Sequence, residues 1–505
     1  MVSNVVHLIE RTAREALGHA QLRPGQEEAI AAVLAGRDTL VVMPTGAGKS
    51  AIYQAAGAML PGLTVVISPL IALQQDQVAA LAEANAGQAA LLNSTLSRGE
   101  REAVLEDIAG GQIRFLFLAP EQLANEETLA RLQEAAPSLV VVDEAHCISA
   151  WGHDFRPEYL RLGGVIPALG RPCMLALTAT ASPPVREEIV ARLAMDDPLV
   201  IVQGFDRPNI HFAVEGFGDA EEKRAALIAR VVAAPKPGIV YAATRKHTEE
   251  IAEALGAQGV RALAYHAGMS AGAREQAQAA FMRDDADVMV ATTAFGMGVD
   301  KPNVRFVYHL EISSSIDAYY QEVGRAGRDG ETAEAVLFYY PDDLNLQRFF
   351  AGSGQVDAEQ IVLVGTAIGA AAAPLTIAAI SDEVGLSRAK VSAAVQALAD
   401  EGVVEILPAG DVRPLAAGAA REVADDAAAA QANRRAFERS RLEMMRGYAD
   451  MKECRRAYLL NYFGECVDGP CKRCDNCDEG LVRGGTVGDL PFPLQSLVEH
   501  VEWGA

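Results

Sequence analysis

The amino-acid sequence predicts an α/β protein with two tandem parallel-sheet lobes, followed by a helical module that carries most of the cysteines. Two observations lead to this fold class. Short apolar runs alternate with helical stretches from Leu40 to about Val202, and the alternation restarts after residues 203–208. Beyond Phe350 the alternation stops and Ala-rich helical sequence takes over. A third region therefore follows the two lobes.

The first lobe is assigned to residues 1–204, and its strands are predicted from five apolar runs. Continuous apolar runs are typical of parallel strands that helices cover on both faces. The runs are Leu40–Met43, Thr64–Ser68, Phe115–Leu118, Leu139–Val142 and Met174–Leu177.

The second lobe is assigned to residues 205–345, and the segment around residues 203–208 is predicted to be a short hinge. The same reasoning gives five further strands. They are Gly238–Tyr241, Ala262–Tyr265, Asp287–Ala291, Arg305–Leu310 and Glu334–Tyr340.

A winged-helix insert is predicted at residues 355–415. The sequence from Leu375 to Gly402 indicates two helices joined by a turn, and a strand pair is expected from Val403 onward. Ser387, Arg388 and Lys390 open the second helix, where they could reach DNA phosphates. Winged helices also bind proteins, so both roles remain open.

A helical module is predicted at residues 346–354 and 431–480, on either side of this insert. Residues 413–433 are interpreted as a linker or solvated helix, and residues 437–463 as one long amphipathic helix. The remaining residues, 481–505, resemble the opening strand of a small β module that is cut short.

The charge and the hydropathy of the chain limit the partners and the location that we expect for the protein. The chain of 505 residues is 50% apolar and has a formal charge of −23 at pH 7. Any nucleic-acid contact must therefore come from local grooves rather than from net attraction. No window approaches the roughly 20 apolar residues needed to cross a bilayer, and the first 20 residues carry charges where a signal peptide needs an apolar core. A cytoplasmic protein without membrane partners is expected.

Residues 43–50, Met-Pro-Thr-Gly-Ala-Gly-Lys-Ser, stand between a predicted strand and a predicted helix. In that setting a Gly-rich loop wraps phosphate oxygens with its backbone N–H groups. Lys49 would pair with the β and γ phosphates, and the Ser50 hydroxyl would join a magnesium shell. The alternative is a chance Gly-Lys-Ser turn. The predicted nucleotide-binding residues of this loop are Thr45, Gly46, Ala47, Gly48, Lys49 and Ser50.

Asp143 and Glu144 follow directly after the predicted strand Leu139–Val142. At the carboxyl end of a parallel strand, Asp143 would hold magnesium and Glu144 would orient or deprotonate the attacking water. His146 would sense the γ phosphate from the same turn. Helix capping is the structural alternative for this acid pair.

Arg325 and Arg328 lie in the run Gln321–Arg328, among small residues that would let both guanidinium groups enter a tight cleft. Both are candidate arginine fingers, which stabilise the charge of a transferring phosphoryl group. A solvated basic turn is the alternative. The sequence does not decide which of the two is the finger.

An aromatic, basic loop at residues 150–156 follows the predicted hydrolytic acids. Trp151 and Phe155 could stack on unpaired bases, at about 1–3 kcal/mol per base, and Arg156 could meet a phosphate or an acid. His153 lies between them and is included in the predicted DNA-contacting set. Packing within a local core is the alternative for these aromatic residues.

Five of the seven cysteines fall within 24 positions. Four of them have the spacing of a tetrahedral structural zinc site. Cys466 is the spare thiol of the cluster. A disulfide or an iron–sulfur cluster is the alternative. The predicted zinc ligands are Cys454, Cys471, Cys474 and Cys477.

Together these motifs resemble those of the RecQ family of superfamily-two DNA helicases, over residues 8–350 and 434–478. Further motif runs that carry the resemblance are Leu22–Gln26, Ser68–Leu73, Ala119–Glu121, Leu177–Ala181, Tyr265–Gly268, Phe295–Pro302 and Arg455–Gly464.

The resemblance implies that the two lobes are RecA-like, that Arg23 and Gln26 contact adenine, and that the loop at residues 150–156 reports DNA binding to the ATP site. A stacking aromatic residue of the family is replaced here by His19. In many relatives a winged helix follows the zinc ligands, whereas here the predicted winged helix precedes them.

The implied activity is that of an ATP- and magnesium-dependent DNA helicase with 3′-to-5′ polarity, acting in repair or recombination. ATP, Mg²⁺ and Zn²⁺ are the expected cofactors. Single-stranded and duplex DNA are the expected partners, together with single-strand-binding or recombination proteins. Two rival hypotheses are an RNA helicase and a DNA-dependent ATPase or DNA-binding regulator with little or no unwinding.

Overall fold

Two parallel sheets form the body of the protein. The structure is a computed structural model that describes residues 2–15, 21–44, 46–69, 71–83, 87–93, 96–149, 159, 162–296, 299–352, 356–407, 410–415, 419–465 and 469–480. The predicted β module at residues 481–505 and the spare Cys466 lie outside these residues.

The first sheet has seven parallel strands: β1 (Thr39–Val42), β2 (Thr64–Ile67), β3 (Ala89–Leu92), β4 (Phe115–Leu118), β5 (Leu139–Val142), β6 (Cys173–Thr178) and β7 (Leu199–Val202). Their order is β3-β4-β2-β5-β6-β1-β7. The described helices of this lobe are Val2–Glu15, Gln26–Leu34, Lys49–Met59, Ile71–Glu83, Arg98–Ala109, Glu126–Ala135, Leu162–Ala168 and Pro183–Arg192, with short 3-10 helices at Pro120–Ala124 and Ala145–Ile148.

The second sheet has six parallel strands: β8 (Ile210–Gly216), β9 (Gly238–Tyr241), β10 (Ala262–Tyr265), β11 (Val288–Ala291), β12 (Phe306–His309) and β13 (Ala333–Tyr339). Their order is β10-β11-β9-β12-β13-β8. The helices of this lobe are Ala220–Ala233, Arg245–Ala257, Ala271–Met282, Ile316–Val323 and Asp343–Gly352.

The two-lobe α/β prediction is confirmed, and each of the ten predicted strands is present with bounds shifted by at most a residue. The sequence analysis missed β3, β7 and β8, and all three are edge strands. Each of them contains partly exposed residues, and Val200 of β7 is 44% exposed. Polar residues interrupt only β8, at His211 and Glu215, whereas β3 and β7 are continuous apolar runs that the sequence analysis did not assign to strands.

The winged-helix prediction is also confirmed. Helices Ala358–Ala370, Ile377–Val384 and Arg388–Asp400 are followed by the antiparallel strands β14 (Val404–Ile406) and β15 (Val412–Pro414). Leu375 pairs with Val412 at the edge of this hairpin. The module has a hydrophobic core of its own, whose fully buried members include Ile361, Val364, Ile368, Ile380, Val391, Leu398 and Val412.

The predicted helix over residues 437–463 is wrong. One helix runs from Ala420 to Asp450, and the next begins at Arg455 and ends at Tyr462. The helical conformation is interrupted between them because Cys454 adopts an extended backbone. The sulfur atom of Cys454 accepts a hydrogen bond from the N–H of Ala457 and so caps the second helix.

Of the two interpretations of residues 413–433, a linker or a solvated helix, the helix is confirmed from Ala420 onward, but one face of it is buried. There the chain belongs to the helix Ala420–Asp450, and Ala420, Ala424 and Ala427 are buried against the winged helix. Their spacing of three and four residues places them on one helical face. The alanine content therefore marks a close packing surface rather than a solvated segment. In the described part of the chain, no helix combines the length and apolar character that a membrane crossing requires.

Gly238 tests the packing of the second sheet. A Cβ atom added there would lie 2.1 Å from Cζ of Phe306 on the neighbouring β12. We expect Gly238→Ala to destabilise the protein by about 1–3 kcal/mol through overpacking, measured as a lower urea midpoint. Gly256→Ala is the control, because it lies in the helix Arg245–Ala257 with no heavy atom within 4 Å of an added Cβ. A midpoint for Gly238→Ala at or above that of the control would contradict this description of the sheet.

Candidate nucleotide cleft and metal centre

The predicted phosphate loop lies between β1 and the helix Lys49–Met59. Gly46 and Gly48 have φ angles of 83° and 79°, a region that L-residues with a side chain rarely adopt. A Cβ atom on Gly48 would also lie 2.6 Å from the amide nitrogen of Gln26. Glycine is therefore required at both positions for the loop to take this shape.

Gln26 and Arg23, which precede the phosphate loop in the first lobe, donate hydrogen bonds to its carbonyl groups. The Gln26 side-chain amide donates hydrogen bonds of 2.9 Å to the carbonyls of both Ala47 and Gly48, and Arg23 donates to the carbonyl of Gly46. The backbone N–H of Arg23 donates to Oε1 of Gln26 at 2.7 Å. The structure thus brings both residues to the phosphate loop. Contact with adenine stays a prediction.

Lys49 is the first residue of the helix that follows the loop, and Ser50 lies half-buried beside it. Nζ of Lys49 donates to the carbonyl of Met43 at 2.9 Å. Burial lowers the pKa of Lys49, while the charges of Glu144 and Asp143 act in the opposite direction. The lysine and the acid pair therefore share one partly buried site, as the sequence predicts.

Asp143 and Glu144 follow β5 at the carboxyl end of the sheet, on the same edge as the phosphate loop. Oγ of Ser68 donates to Oδ2 of Asp143 at 3.5 Å, and the N–H of Glu144 donates to Oδ1 at 3.0 Å. Burial, and then the neighbouring Glu144 carboxylate, raise the pKa of Asp143 to about 7, although Lys49 opposes the shift. A cation in this site would relieve the repulsion between the two acids.

His146 is fully buried and connects the acid pair to β6. Its Nδ1 lies 2.9 Å from Oγ1 of Thr178 and 3.4 Å from Oε2 of Glu144. Thr178 in turn accepts a hydrogen bond from the N–H of Thr180. The turn after β6 is therefore linked to Glu144 through one imidazole ring. The direct role of His146 as a γ-phosphate sensor stays a prediction.

Arg328 of the second lobe lies against the phosphate loop of the first. A Cβ atom on Gly46 would be 3.4 Å from Cδ of Arg328. One guanidinium nitrogen of Arg328 donates to Val299 and Asp300, whereas Nε and Nη2 are buried and have no hydrogen-bond partner among the described residues. Two donors of Arg328 are therefore available at the cleft.

Arg325 has a different environment. Its Nη1 donates to the carbonyl of Gly296 within the second lobe, and its side chain lies beside the hydroxyl group of Tyr241. That hydroxyl group donates to the carbonyl of Phe295 at 2.8 Å. The geometry therefore separates the two predicted fingers, because Arg328 is the one that lies against the phosphate loop.

The two lobes enclose a cavity of about 300 Å³ between them. Sequence reasoning missed the hinge residues that line it. Arg207 donates to the carbonyls of Gly324, Ala326 and Gly327, and so holds the chain segment that carries both arginines. The signal available in the sequence was an arginine inside the predicted hinge. Residues that line the cavity include Gly46, Ala47, Gln203, Gly204, Arg207 and Arg328.

Several predicted site residues lie outside the part of the chain that the structure describes. Tyr159, just beyond the aromatic loop, is described, and its hydroxyl group donates to the carbonyl of Asp143 at 3.0 Å. This contact joins Tyr159 to the backbone of the acid pair, and the sequence analysis missed it. The residues outside the described part are Thr45, Trp151, His153, Phe155 and Arg156.

The predicted DNA-contacting residues of the winged helix have local partners. Ser387 caps its helix by accepting a hydrogen bond from the N–H of Lys390 at 3.4 Å, and Nζ of Lys390 donates to Gln360 at 3.3 Å. Arg388 is exposed. Binding of DNA or of a protein by this helix stays a prediction.

Cys454, Cys471, Cys474 and Cys477 form the metal centre, and their sulfur atoms all lie within 4.8 Å of one another. Four thiolates about 2.3 Å from a tetrahedral zinc ion would be separated by about 3.8 Å, so the donor set fits zinc. The sulfur atoms of Cys471 and Cys477 are 3.8 Å apart. The Asn476 side chain donates to the carbonyls of Met451 and Glu453, which fixes the turn before Cys454.

Comparisons with known proteins agree with this geometry. Family models match the chain as "DEAD/DEAH box helicase" at residues 23–189, "Helicase conserved C-terminal domain" at 222–330, "Winged helix-turn-helix DNA-binding" at 370–405 and "RecQ zinc-binding" at 416–478. The last model and the four-cysteine cluster identify a zinc-binding module. The fold and the cleft are those of a two-lobed superfamily-two helicase.

The chain belongs to the RecQ family. It is 41% identical over 354 residues to the "Probable ATP-dependent DNA helicase RecS" of Bacillus subtilis, covering 70% of this chain and 71% of that one. It is 37% identical over 476 residues to the "ATP-dependent DNA helicase RecQ" of Pasteurella multocida, covering 93% of this chain. The chain spans 62% of the length of that relative.

A solved structure shares the fold at low sequence identity. The Mycobacterium smegmatis helicase Lhr, bound to single-stranded DNA and AMP-PNP, aligns with a TM-score of 0.53 and 21% identity. The alignment covers 83% of this chain and 61% of the Lhr chain.

Zinc content tests the metal centre. We expect about one zinc ion per chain in the purified protein, and its loss in Cys474→Ser, because the buried Cys474 thiolate completes the tetrahedral set. Cys173→Ser is the control, since Cys173 lies on β6, apart from the cluster. Full zinc occupancy in Cys474→Ser, measured by elemental analysis, would contradict the assignment.

Proposed function

We propose that the protein is an ATP- and magnesium-dependent DNA translocase of the RecQ type, which unwinds duplex DNA with 3′-to-5′ polarity. The observation that supports this proposal most directly is the contact between Arg328 of the second lobe and the phosphate loop of the first. A site completed by both lobes can couple hydrolysis to their relative movement. The names of the relatives, ATP-dependent DNA helicases, support DNA as the substrate.

Each group at the proposed nucleotide site has a distinct role. Lys49 and the N–H groups of residues 46–50 would bind the β and γ phosphates. Glu144 would orient or deprotonate the attacking water, and His146 would hold the Glu144 carboxylate in position through Nδ1. Arg23 and Gln26 would contact adenine, as the family resemblance implies.

Magnesium is proposed to be held by Asp143 and by the hydroxyl group of Ser50. The partly buried pair of carboxylates beside Lys49 supports this proposal, because two neighbouring acids with little solvent favour a bound cation. When bound, the ion would neutralise charge on the phosphate oxygens.

We assign the arginine finger to Arg328. Two of its buried guanidinium nitrogens have no hydrogen-bond partner among the described residues, and its side chain packs on the loop that would cradle the phosphates. Arg325, which donates to Gly296 within its own lobe, is proposed to support the finger.

DNA is proposed to cross both lobes, with Trp151, His153, Phe155 and Arg156 in contact with unpaired bases or phosphates. The Tyr159–Asp143 hydrogen bond supports a link between this loop and the hydrolytic acids. The winged helix is a weak candidate for the main phosphate contact, because residues 355–415 contain eight acidic and three basic residues.

The domain bounds remain those of the sequence analysis, and we propose them as such: lobes at 1–204 and 205–345, the zinc module at 346–354 and 431–480, and the winged helix at 355–415. We further propose a cytoplasmic location, a role in repair or recombination, and contacts with single-strand-binding or recombination proteins.

Strand displacement tests the proposed activity. We expect the wild type, with ATP and Mg²⁺, to separate a duplex that bears a 3′ single-stranded tail and to leave one with a 5′ tail intact. Lys49→Ala should abolish unwinding and ATP turnover, since the phosphates lose their charge partner, yet it should retain DNA binding. Unchanged ATP turnover in Lys49→Ala would contradict the phosphate-loop assignment.

The finger assignment predicts a loss of turnover in Arg328→Ala. We expect kcat for ATP hydrolysis to fall by about 10³-fold, because transition-state charge loses its partner. Arg283→Ala is the matched control, because Arg283 is an exposed arginine of the same lobe that pairs with Asp285. If Arg328→Ala keeps the kcat of this control, another residue is the finger.

A further inference from the structure

The zinc module is anchored to the second lobe by buried contacts. Arg456 donates two hydrogen bonds of 3.0 Å, to the carbonyls of Arg207 and Ile210. The carboxylate of Asp475 accepts a hydrogen bond of 2.8 Å from the N–H of Val214 on β8. Because these bonds join the module to the edge of the second sheet, the module and this lobe should move as one body.

A second anchor lies on the helix that leads to the predicted arginine fingers. Asp317, at the start of the helix Ile316–Val323, accepts hydrogen bonds from Tyr462 at 2.5 Å and from Arg441 at 3.0 Å. All three side chains are buried. The end of the zinc-module helix Arg455–Tyr462 is thereby fixed to the element that precedes Arg325 and Arg328.

The same end of the zinc module also contacts the first lobe. Arg186, on the helix Pro183–Arg192, donates through Nη2 to the carbonyl of Phe463 and through Nε to that of Ala181 at 2.8 Å. Ser182, which precedes this helix, interacts with the hydroxyl group of Tyr462. These residues directly follow the turn that holds His146 through Thr178.

Phe463 is also the contact between the module and the hinge. Its ring stacks on Phe205 with centroids 4.5 Å apart and planes 9° apart, and it packs on Tyr320 of the second lobe at 4.8 Å. The N–H of Phe205 donates to Glu465 at 3.2 Å. The Phe463 ring therefore lies at the hinge, in contact with both the hinge and the second lobe, so a rotation of the lobes would change its surroundings.

We propose that Arg186 of the first lobe and residues 462–463 of the zinc module form a closure contact, which stabilises the closed cleft from outside the nucleotide site. The inference rests on the proposed function, since closure is the step that brings Arg328 to the phosphates. Arg186, Tyr462 and Phe463 would then be positioning residues that act through the relative placement of the lobes.

Closure of the cleft and nucleotide binding are thermodynamically linked, which fixes the direction in which a weaker closure contact changes nucleotide affinity. Nucleotide binds most tightly to the closed form, so a weaker closure contact raises the apparent Kd for nucleotide without a change in the cleft itself. A contact that only supported the fold would lower thermal stability and leave nucleotide affinity unchanged.

The test compares two arginines of one helix. In Arg186→Gln, we expect the apparent Kd for a fluorescent AMP-PNP analogue with Mg²⁺ to rise by about three- to tenfold, the worth of one typical hydrogen bond. Arg192→Gln is the matched control, because Arg192 is exposed and pairs with Glu188 on its own helix. Zinc content and DNA affinity should match the wild type in both variants.

A second pair of variants tests the same contact if Arg186→Gln does not fold. Tyr462→Phe removes only the hydroxyl group, which interacts with Ser182 of the first lobe as well as with Asp317, and we expect about a two- to threefold rise in the same Kd. Tyr458→Phe is its control, because that hydroxyl group donates to Met444 within the zinc module.

Variants with the same Kd as their controls would overturn the closure contact. A wild type that binds no nucleotide would instead contradict the proposed function on which it rests. The two failures are distinguishable, because only the first leaves wild-type nucleotide binding intact.

Discussion

The placement of Arg328 against the phosphate loop is the contact on which the rest of this structure depends. Neither lobe alone makes a complete site, since Lys49 and the acid pair belong to the first lobe and Arg328 to the second. In each parallel sheet the loops at the carboxyl ends of the strands are free to carry function. Two such edges that face each other give a cleft in which small rotations make or break a charge contact.

Arginine side chains that bind carbonyl groups hold these two edges in place relative to each other. Arg207 holds the segment before Arg328, and Arg456 holds the backbone of Arg207 in turn. A guanidinium group supplies several donors in fixed directions, so it can join loops that have no regular structure. Cys454 of the four-cysteine cluster caps the helix that carries Arg456. The cysteine cluster, the hinge and the cleft are therefore joined by one continuous series of contacts.

Much of the fold and of the nucleotide site could be predicted from the sequence, because the inner strands and the phosphate loop have strong local signatures. The strand β8 was missed because His211 and Glu215 interrupt its apolar run, whereas β3 and β7 are wholly apolar runs of four residues that were not assigned to strands. The helix break at Cys454 was missed because a side-chain cap overrides helical periodicity. The difference between Arg325 and Arg328 could not be predicted either. It arises from tertiary contacts with Gly296 and Gly46, which lie 29 and more than 200 residues away along the chain.

Steady-state ATP hydrolysis by the wild type, measured without nucleic acid, with single-stranded DNA and with single-stranded RNA of the same sequence, tests the central claim most directly. A cleft that closes when DNA engages the first lobe predicts strong stimulation by DNA and little by RNA. Equal stimulation by RNA would indicate an RNA helicase. The absence of stimulation by either would indicate that the cleft does not respond to nucleic acid, which contradicts the account of a DNA-driven motor.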